Sequence, residues 1–339
     1  MGEYVFWPRG CAGGWEKYGP DALIGGALGS VSDPCVIREE AGFHMWFTWN
    51  DAHCIAYAQS EDGIHWDNPR VVLQPQLGSS WQRDAVARPW VVKRNGAYQM
   101  WYAGQWRPQD GAHGRSAFGY AESFDGVNWS QRDTPVMAPV APWEKNWMGS
   151  PFVMWDEGKG IYRMWYSAGE YKLCGGIGYA YSYDGVRWYR DFQQSVLSGA
   201  EIRPESCCVV KQDNWHYLFY VDLKISADHY PNHGCICLAR SRDGVHMWEK
   251  HPDNPVVAPS DVWWDFSGVE RPCVIPAACG YVMWYGGENR SKYMHNTHLE
   301  IGIAVHEGAL AWPAEGEAPE RKLPGEMRYI INEWNVGCV

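Results

Sequence analysis

One pattern of hydrophobic and polar positions recurs along the chain. At Ile177–Trp188 (IGYAYSYDGVRW) apolar and polar residues alternate up to an Asp-Gly pair, and the alternation then resumes until a tryptophan. Similar stretches lie at Ile55–Trp66, Phe118–Trp129 and Ile236–Trp248, and a less regular one lies at Ile301–Trp312. Alternation predicts a half-buried strand, and Asp-Gly between two such runs is the strongest short-range signal for a β-hairpin. The sequence therefore predicts the same hairpin in five successive repeats.

A second pair of strand-like segments precedes each hairpin. The first segment of each pair starts at a proline and the residue before it: Asp33-Pro34, Arg88-Pro89, Ser150-Pro151, Arg203-Pro204 and Arg271-Pro272. An apolar run follows, then a polar or glycine turn, and then a strand such as Met100-Trp101-Tyr102. Successive prolines are 55, 62, 53 and 68 residues apart. Four antiparallel strands in each of five repeats predict an all-β fold, a single five-bladed β-propeller.

The repeats leave no internal domain boundary, so residues 1–339 are predicted to form one propeller. The expected blades span approximately residues 31–75, 86–139, 149–198, 202–259 and 270–315. Residues 1–30 and 316–339 lie outside the repeats, and we expect them to close or buttress the ring. In every blade, including the fifth, we expect the fourth strand to be the segment that ends at the hairpin tryptophan.

Charge and composition narrow the range of partners. The formal net charge of −11 at pH 7 argues against nucleic acid and against an anionic membrane surface as partners. The 11 cysteines show no paired spacing, so we expect buried free thiols and no metal site. Neither a signal-peptide pattern nor an apolar run of membrane-spanning length is found, which predicts a cytoplasmic protein. No glycine-rich phosphate loop is found, so no cofactor is expected. The oligomeric state is left open.

The two faces of the predicted propeller differ in their loops. The loops that join the second and third strands are long and differ between repeats, whereas the turns of the opposite face are short and repetitive. Functional residues concentrate on such variable loops when a rigid scaffold holds them. The innermost strands also begin on this face, which brings the residues before the prolines to the axis. These are Asp33, Arg88, Ser150, Arg203 and Arg271, with Glu205 and Glu270 beside the last two.

Further polar and aromatic residues are expected around the rim of this pocket as substrate-binding groups. They are Trp49, Asp51, Trp106, Glu170, Asp222, Glu288 and Arg290. Two interpretations of the arginines and carboxylates remain open. They can form ion pairs that plug the ring, or they can line a pocket for a hydroxyl-rich or anionic small molecule, since arginine offers bidentate donors.

Several of these motifs are similar to those of a known group of enzymes. The Asp33-Pro34 pair, second strands such as Met100–Gly104, and the Ser-x-Asp-Gly-x-x-Trp hairpins resemble the five-bladed propellers of the arabinanase, levansucrase and invertase superfamily. That superfamily includes the glycoside hydrolase families 43, 32 and 68, and the resemblance covers residues 30–312. It implies three pocket carboxylates, one from the start of each of the first three blades. Asp33 matches the first, but Arg88 follows Ala87 and Ser150 follows Gly149 at the other two positions.

The resemblance implies a carbohydrate-active enzyme of the glycoside hydrolase type that acts on a small, neutral or anionic sugar conjugate. In this hypothesis Asp33 is the base or nucleophile, and Glu205 or Glu270 supplies the acid that glycosidic cleavage requires. Arg88, Arg203 and Arg271 would bind the substrate. One alternative is a glycosyltransferase or a phosphorylase that holds phosphate on these arginines, in the manner of the family 130 mannoside phosphorylases. Another is a non-catalytic sugar-binding propeller.

Overall fold

The computed structural model describes residues 9–19, 21–108, 114–170, 173–190, 194–223, 234–260, 264–289 and 298–313. Within these ranges the chain forms twenty strands and one short 3-10 helix, Gly26–Leu28. The strands make five separate antiparallel sheets of four strands each, which confirms the predicted five-bladed β-propeller. In the described part of the chain, no helix combines the length and the apolar character needed to cross a membrane.

Strand β1 is Trp15–Lys17. The first blade contains β2 (Val31–Glu39), β3 (Gly42–Trp49), β4 (Cys54–Ser60) and β5 (Arg70–Leu73). The second contains β6 (Ala85–Arg94), β7 (Ala97–Trp106), β8 (Arg115–Ser123) and β9 (Ser130–Gln131). The third contains β10 (Trp147–Asp156), β11 (Ile161–Glu170), β12 (Leu173–Ser182) and β13 (Tyr189–Arg190). The fourth contains β14 (Pro204–Gln212), β15 (Trp215–Asp222), β16 (Cys235–Ser241) and β17 (Glu249–Lys250). The fifth contains β18 (Gly268–Ala277), β19 (Gly280–Asn289) and β20 (His298–Glu307).

The fifth blade obtains its fourth strand from the opposite end of the described chain. Strand β1 pairs antiparallel with β20, with Trp15 opposite His306 and Lys17 opposite Ala304. The expectation that the fourth strand ends at the hairpin tryptophan was wrong. In the first four blades β5, β9, β13 and β17 begin after Trp66, Trp129, Trp188 and Trp248, and in the fifth blade residues 308–313 form no strand. The fifth repeat lacks the polar alternation after its Glu-Gly pair, and β1 already occupies the edge of β20. The ring is therefore closed by hydrogen bonds between segments that are distant in sequence.

Tryptophans of the second strands join four of the five blades to the blade that follows. The indole N–H of Trp46 donates to the carbonyl oxygen of Gly126 over 2.8 Å, which joins the first blade to the hairpin turn of the second. Trp101, Trp165 and Trp284 donate in the same way to Gly185, Gly244 and Gly63. The bond from Trp284 joins the fifth blade to the first. These bonds satisfy buried indole donors at the blade interfaces, as buried polar groups require.

The fourth blade has Phe219 where the other blades have a tryptophan on the second strand. A phenyl ring has no N–H to donate, and the blade that follows has no Asp-Gly hairpin to accept a bond. Phe219 instead meets the ring of Trp15 edge-on, with the ring centroids 5.4 Å apart. The closing strand thus replaces a hydrogen bond with an aromatic contact at this interface.

Candidate active site

A β-bulge interrupts the innermost strand of every blade at the same level. The register of strand pairing shifts after Ser32, Ala87, Gly149, Glu205 and Glu270. The next residue in each case has a positive φ, of 57° at Asp33, 57° at Arg88, 50° at Ser150, 39° at Ser206 and 57° at Arg271. A bulge redirects side chains, and residues held in this region of φ often mark functional sites. These five residues line one depression on the propeller axis.

In the fourth blade the residue at the axis is Ser206 and not Arg203, so the position predicted for Arg203 needs correction. Arg203 lies three residues before the bulge, and its backbone N–H donates to Asp222 Oδ1 over 3.0 Å. The error arose because the fourth blade has Cys207 where the other blades have the proline. Pro204, at the start of β14, lies three positions before this equivalent position.

Three carboxylates and two guanidinium groups form a continuous chain of ion pairs across this depression. Glu205 Oε1 lies 3.1 Å from Arg88 Nη1, and Arg88 Nε lies 4.0 Å from Asp33 Oδ1. Arg271 Nε lies 2.6 Å from the same Asp33 oxygen, and its Nη1 contacts Glu270 Oε1. The order is therefore Glu205, Arg88, Asp33, Arg271, Glu270. Of the predicted site residues, the structure brings these five together.

Asp33 is the centre of this chain and the most enclosed of its carboxylates, with 7% of its side chain exposed. Its Oδ2 accepts a hydrogen bond from Ser32 Oγ over 3.0 Å, and Asn50 in turn donates to that hydroxyl oxygen over 3.0 Å. The contact between Arg271 Nε and Asp33 Oδ1 is short, but the N–H is not aligned for a hydrogen bond. Asp33 is thus suited to hold both arginines in place.

Glu270 differs from the other carboxyl groups in its proton affinity. Burial raises the pKa of Glu270 to about 7, with further contributions from the negative charges of Glu288, Glu205 and Asp33, against the opposing charge of Arg271. For Arg271, burial opposes the charged form, yet the charges of Asp33 and Glu270 raise its pKa above the ordinary value. Because the carboxyl group of Glu270 is partly protonated near neutral pH, the site can offer a proton and a carboxylate together.

Gly149 explains how the Arg88 side chain reaches Glu205. A Cβ atom on Gly149 would lie 2.2 Å from Arg88 Nη1. Gly149 directly precedes Ser150, the position at the start of the third blade where the resemblance implies a catalytic carboxylate. The guanidinium group of Arg88 occupies the space that a side chain at residue 149 would need, and it also lies 3.4 Å from the hydroxyl oxygen of Ser150.

Gly149→Ala should therefore displace the Arg88 guanidinium group and separate it from Glu205. We expect a loss of about 1–3 kcal/mol in the free energy of unfolding, as for other substitutions that overfill a packed site. Urea denaturation measures the loss, and a crystal structure of the variant locates the guanidinium group. Gly158→Ala is the matched control, because its Cβ would meet only Asp156 Oδ1, at 3.5 Å. Equal stability of the two variants would contradict this account of Gly149.

Two predicted rim residues hold a neighbouring segment of backbone. The indole N–H of Trp49 donates to the carbonyl oxygen of Leu28 over 2.9 Å. Asp51 Oδ2 accepts a hydrogen bond from the backbone N–H of Ser30 over 3.0 Å. Both side chains therefore fix residues 28–30, the segment that leads into β2 and to Asp33.

The remaining predicted rim residues fall into different surroundings. Glu170 is exposed and pairs with Lys145 at 3.2 Å. Asp222 and Glu288 are buried at the ends of β15 and β19, and Glu288 acts on Glu270 through its charge. Trp106 is half-buried at the end of β7. Arg290 lies outside the described residues.

Ser206 and Ser32 are site residues that the sequence reasoning missed. The hydroxyl groups of Ser206 and Ser150 are 2.9 Å apart, so the ring of axial side chains continues from the second blade to the fourth. A signal for Ser206 was present in the sequence. Cys208-Val209 matches Cys35-Val36 and Cys273-Val274, and counting back from this dipeptide gives Ser206 the same position as Asp33 and Arg271.

Comparison of the sequence with known proteins finds relatives that match part of the chain. No family model matches the chain. An uncharacterised protein of Mycobacterium tuberculosis, Rv1502, is 32% identical over 157 residues, which are 43% of this chain and 49% of the relative. A 1,2-β-oligomannan phosphorylase of Thermoanaerobacter is 29% identical over 111 residues, which are 30% of this chain and 37% of the relative. The chain thus spans about half, or less, of the length of these relatives.

Solved structures match over nearly the whole chain. One described as a glycoside hydrolase has a TM-score of 0.69 at 19% identity and covers 90% of this chain and 95% of its own. An α-L-arabinanase of Cellvibrio cellulosa in complex with arabinohexaose has a TM-score of 0.60 at 14% identity, with 86% and 95% covered. At this identity the likeness shows the fold alone. The resemblance to arabinanase-type five-bladed propellers is therefore confirmed at the level of the fold.

Proposed function

We propose that this protein is a carbohydrate-active enzyme that hydrolyses a glycosidic bond of a small sugar conjugate, with Glu270 as the general acid. The observation that carries the proposal is the position of the Glu270 carboxyl group at the end of the ion-pair chain, in contact with Arg271, where burial raises its pKa to about 7. A glycosidic oxygen leaves readily only when it receives a proton. A general acid is most effective when its pKa lies near the working pH, and burial is the usual means of raising the pKa of a glutamate.

The second role, activation of water or direct attack on the sugar, requires an ionised carboxylate with an accessible oxygen. Both oxygens of Asp33 are engaged, by the arginines and by Ser32. Glu205 uses Oε1 for Arg88, while within the described residues no hydrogen bond occupies its Oε2. We therefore assign this role to Glu205, with Asp33 as the group that orients Arg88 and Arg271.

A second candidate function is phosphorolysis of a glycosidic bond. The partial match to an oligomannan phosphorylase and the two arginines of the depression favour it. Against it, both guanidinium groups already have carboxylate partners, Glu205 at 3.1 Å and Asp33 at 2.6 Å. Phosphate would have to replace at least one of these carboxylates, which carry the same sign of charge.

Product analysis separates the candidates. The protein is incubated with β-1,2-linked mannosides and with arabinosides, the sugars in the names of its relatives, with and without inorganic phosphate. Hydrolysis predicts free reducing sugar at a rate that phosphate does not increase. A sugar phosphate formed only with phosphate present would establish phosphorolysis instead. Binding of these sugars without turnover, seen as a thermal shift alone, would leave a non-catalytic sugar-binding propeller and refute the proposed enzyme.

A further inference from the structure

Trp90 lies between two cavities on the propeller axis. On one side is the polar depression lined by Asp33, Arg88 and Arg271. On the other side is a larger cavity that opens on the opposite face. We call it the apolar cavity because most of its lining residues, such as Val92, are apolar; it is also lined by the charged residues Arg38, Glu39, Lys93 and Lys211. Among the described residues, Trp90 is the one that lines both cavities. Its indole ring is therefore the partition between them.

The position of this indole ring is firmly fixed. Its Nε1–H donates to the carbonyl oxygen of Val153 over 2.7 Å, which joins the innermost strands of the second and third blades. Its ring centroid lies 4.4 Å from that of Phe152, at an angle of 51°. The ring also packs against each of the hydrophobic clusters that fill the spaces between the blades. A side chain with so many fixed contacts has little freedom to move aside.

The equivalent positions of three other blades carry small side chains, Cys35, Cys208 and Cys273. Each thiol stays at a blade interface, where its sulfur accepts the backbone N–H of the neighbouring innermost strand at 3.1–3.3 Å. Because a thiol is much smaller than an indole, these blades contribute little volume to the axis. The separation of the two cavities therefore depends on the indole ring of Trp90.

We propose that Trp90 is a positioning residue that closes the floor of the polar depression and keeps water of the apolar cavity away from the ion pairs around Asp33. The inference deepens the proposed function, on which its catalytic meaning rests. Without the indole, water would reach Arg271 and its partner Glu270 from the apolar cavity. Burial is the largest contribution to the raised pKa of Glu270, so hydration should lower that pKa. Hydration would also weaken the attraction between Glu270 and Arg271, which by itself would raise the pKa of Glu270. This effect is smaller than the effect of lost burial.

The test is the titration of the Glu270 carboxyl group in Trp90→Ala, followed by carbon NMR and assigned by comparison with Glu270→Gln. We expect the pKa to fall by at least about one unit, which is a tenfold change in proton affinity. Trp155→Ala is the matched control. Trp155 lines the apolar cavity but not the polar depression, so its loss should leave the titration unchanged. Indole added to Trp90→Ala should restore the wild-type pKa by filling the void.

Trp90→Phe distinguishes closure from a purely structural role. Phenylalanine keeps most of the apolar volume but loses the hydrogen bond to Val153, so closure predicts a titration close to that of the wild type. A shift in Trp90→Phe or Trp155→Ala as large as that in Trp90→Ala would overturn the proposal, as would an unchanged pKa in Trp90→Ala. If Trp90→Ala does not fold, Trp90→Leu takes its place with the same expected direction. The titration needs no turnover, so its outcome is independent of whether the protein hydrolyses a sugar.

Discussion

Glu270→Gln should lower the rate of cleavage of an alkyl glycoside by about 10²–10⁴-fold, the usual contribution of a general acid. An alkoxide is a poor leaving group and needs the proton of Glu270. A nitrophenolate leaves without one, so the rate for a nitrophenyl glycoside of the same sugar should fall much less. The comparison of the two substrates therefore reports on proton donation and not on binding alone. Glu249→Gln is the control, because Glu249 lies on β17, the outermost strand of the fourth blade, and pairs there with Arg240 of β16.

The pH dependence of the same reaction follows from the proton affinity of Glu270. The acid must be protonated to act, so the rate for the alkyl glycoside should fall as the pH rises through about 7. In Glu270→Gln this decline should disappear, since the amide does not titrate. Equal losses with the two leaving groups, or a decline that persists in the variant, would assign the acid role to another group.

Asp265→Ala should cost about 3–5 kcal/mol in the free energy of unfolding, the range for removing one partner of a buried ion pair. Lys17 of β1 lies 2.5 Å from Asp265, and their side chains are 3% and 0% exposed. Tyr285 also donates a hydrogen bond to this carboxylate, over 3.1 Å. The alanine variant leaves the ammonium group of Lys17 buried without its partner, at the strand that completes the fifth blade. Urea denaturation measures the loss.

The double variant Lys17→Met with Asp265→Leu tests the cause of this loss. It removes both charges and keeps most of the volume, so it should recover most of the stability. Glu170→Ala, which breaks an exposed ion pair with Lys145, should cost no more than about 1 kcal/mol. A loss in Asp265→Ala as small as that in Glu170→Ala would mean that the pair does not hold β1 in the ring.

The sequence was sufficient for the architecture because the signals of a propeller blade are local. The alternation and the Asp-Gly turn at Phe118–Trp129 define a hairpin without reference to the rest of the chain. The closing strand could not be predicted in this way. Trp15–Lys17 is three residues long and has no hairpin partner in sequence, so its pairing with β20 depends on the closed ring.

The site was predicted only in part, for a related reason. Asp33, Glu205 and Glu270 were recognised as pocket carboxylates, but their partners depend on distances across the ring. The bulge at Ser206 follows from the register of β14 against β15. The Arg203-Pro204 pair has the sequence pattern of the other axial positions, so the pattern pointed to Arg203 instead of Ser206. Arg88 can reach past Gly149 because that residue has no side chain, and this contact between two blades has no signal in the sequence pattern.

The pairing of Trp15–Lys17 with β20 also sets an order of events during protein synthesis. The ribosome makes residue 15 long before residue 306, and at about 5–20 residues per second the roughly 290 residues between them take about 15–60 s. Until β20 has been made, β1 has no strand to pair with, and the edge of the first blade has no fifth blade to meet. The fifth blade therefore cannot be completed, and the ring cannot close, until nearly the whole described chain has been synthesised.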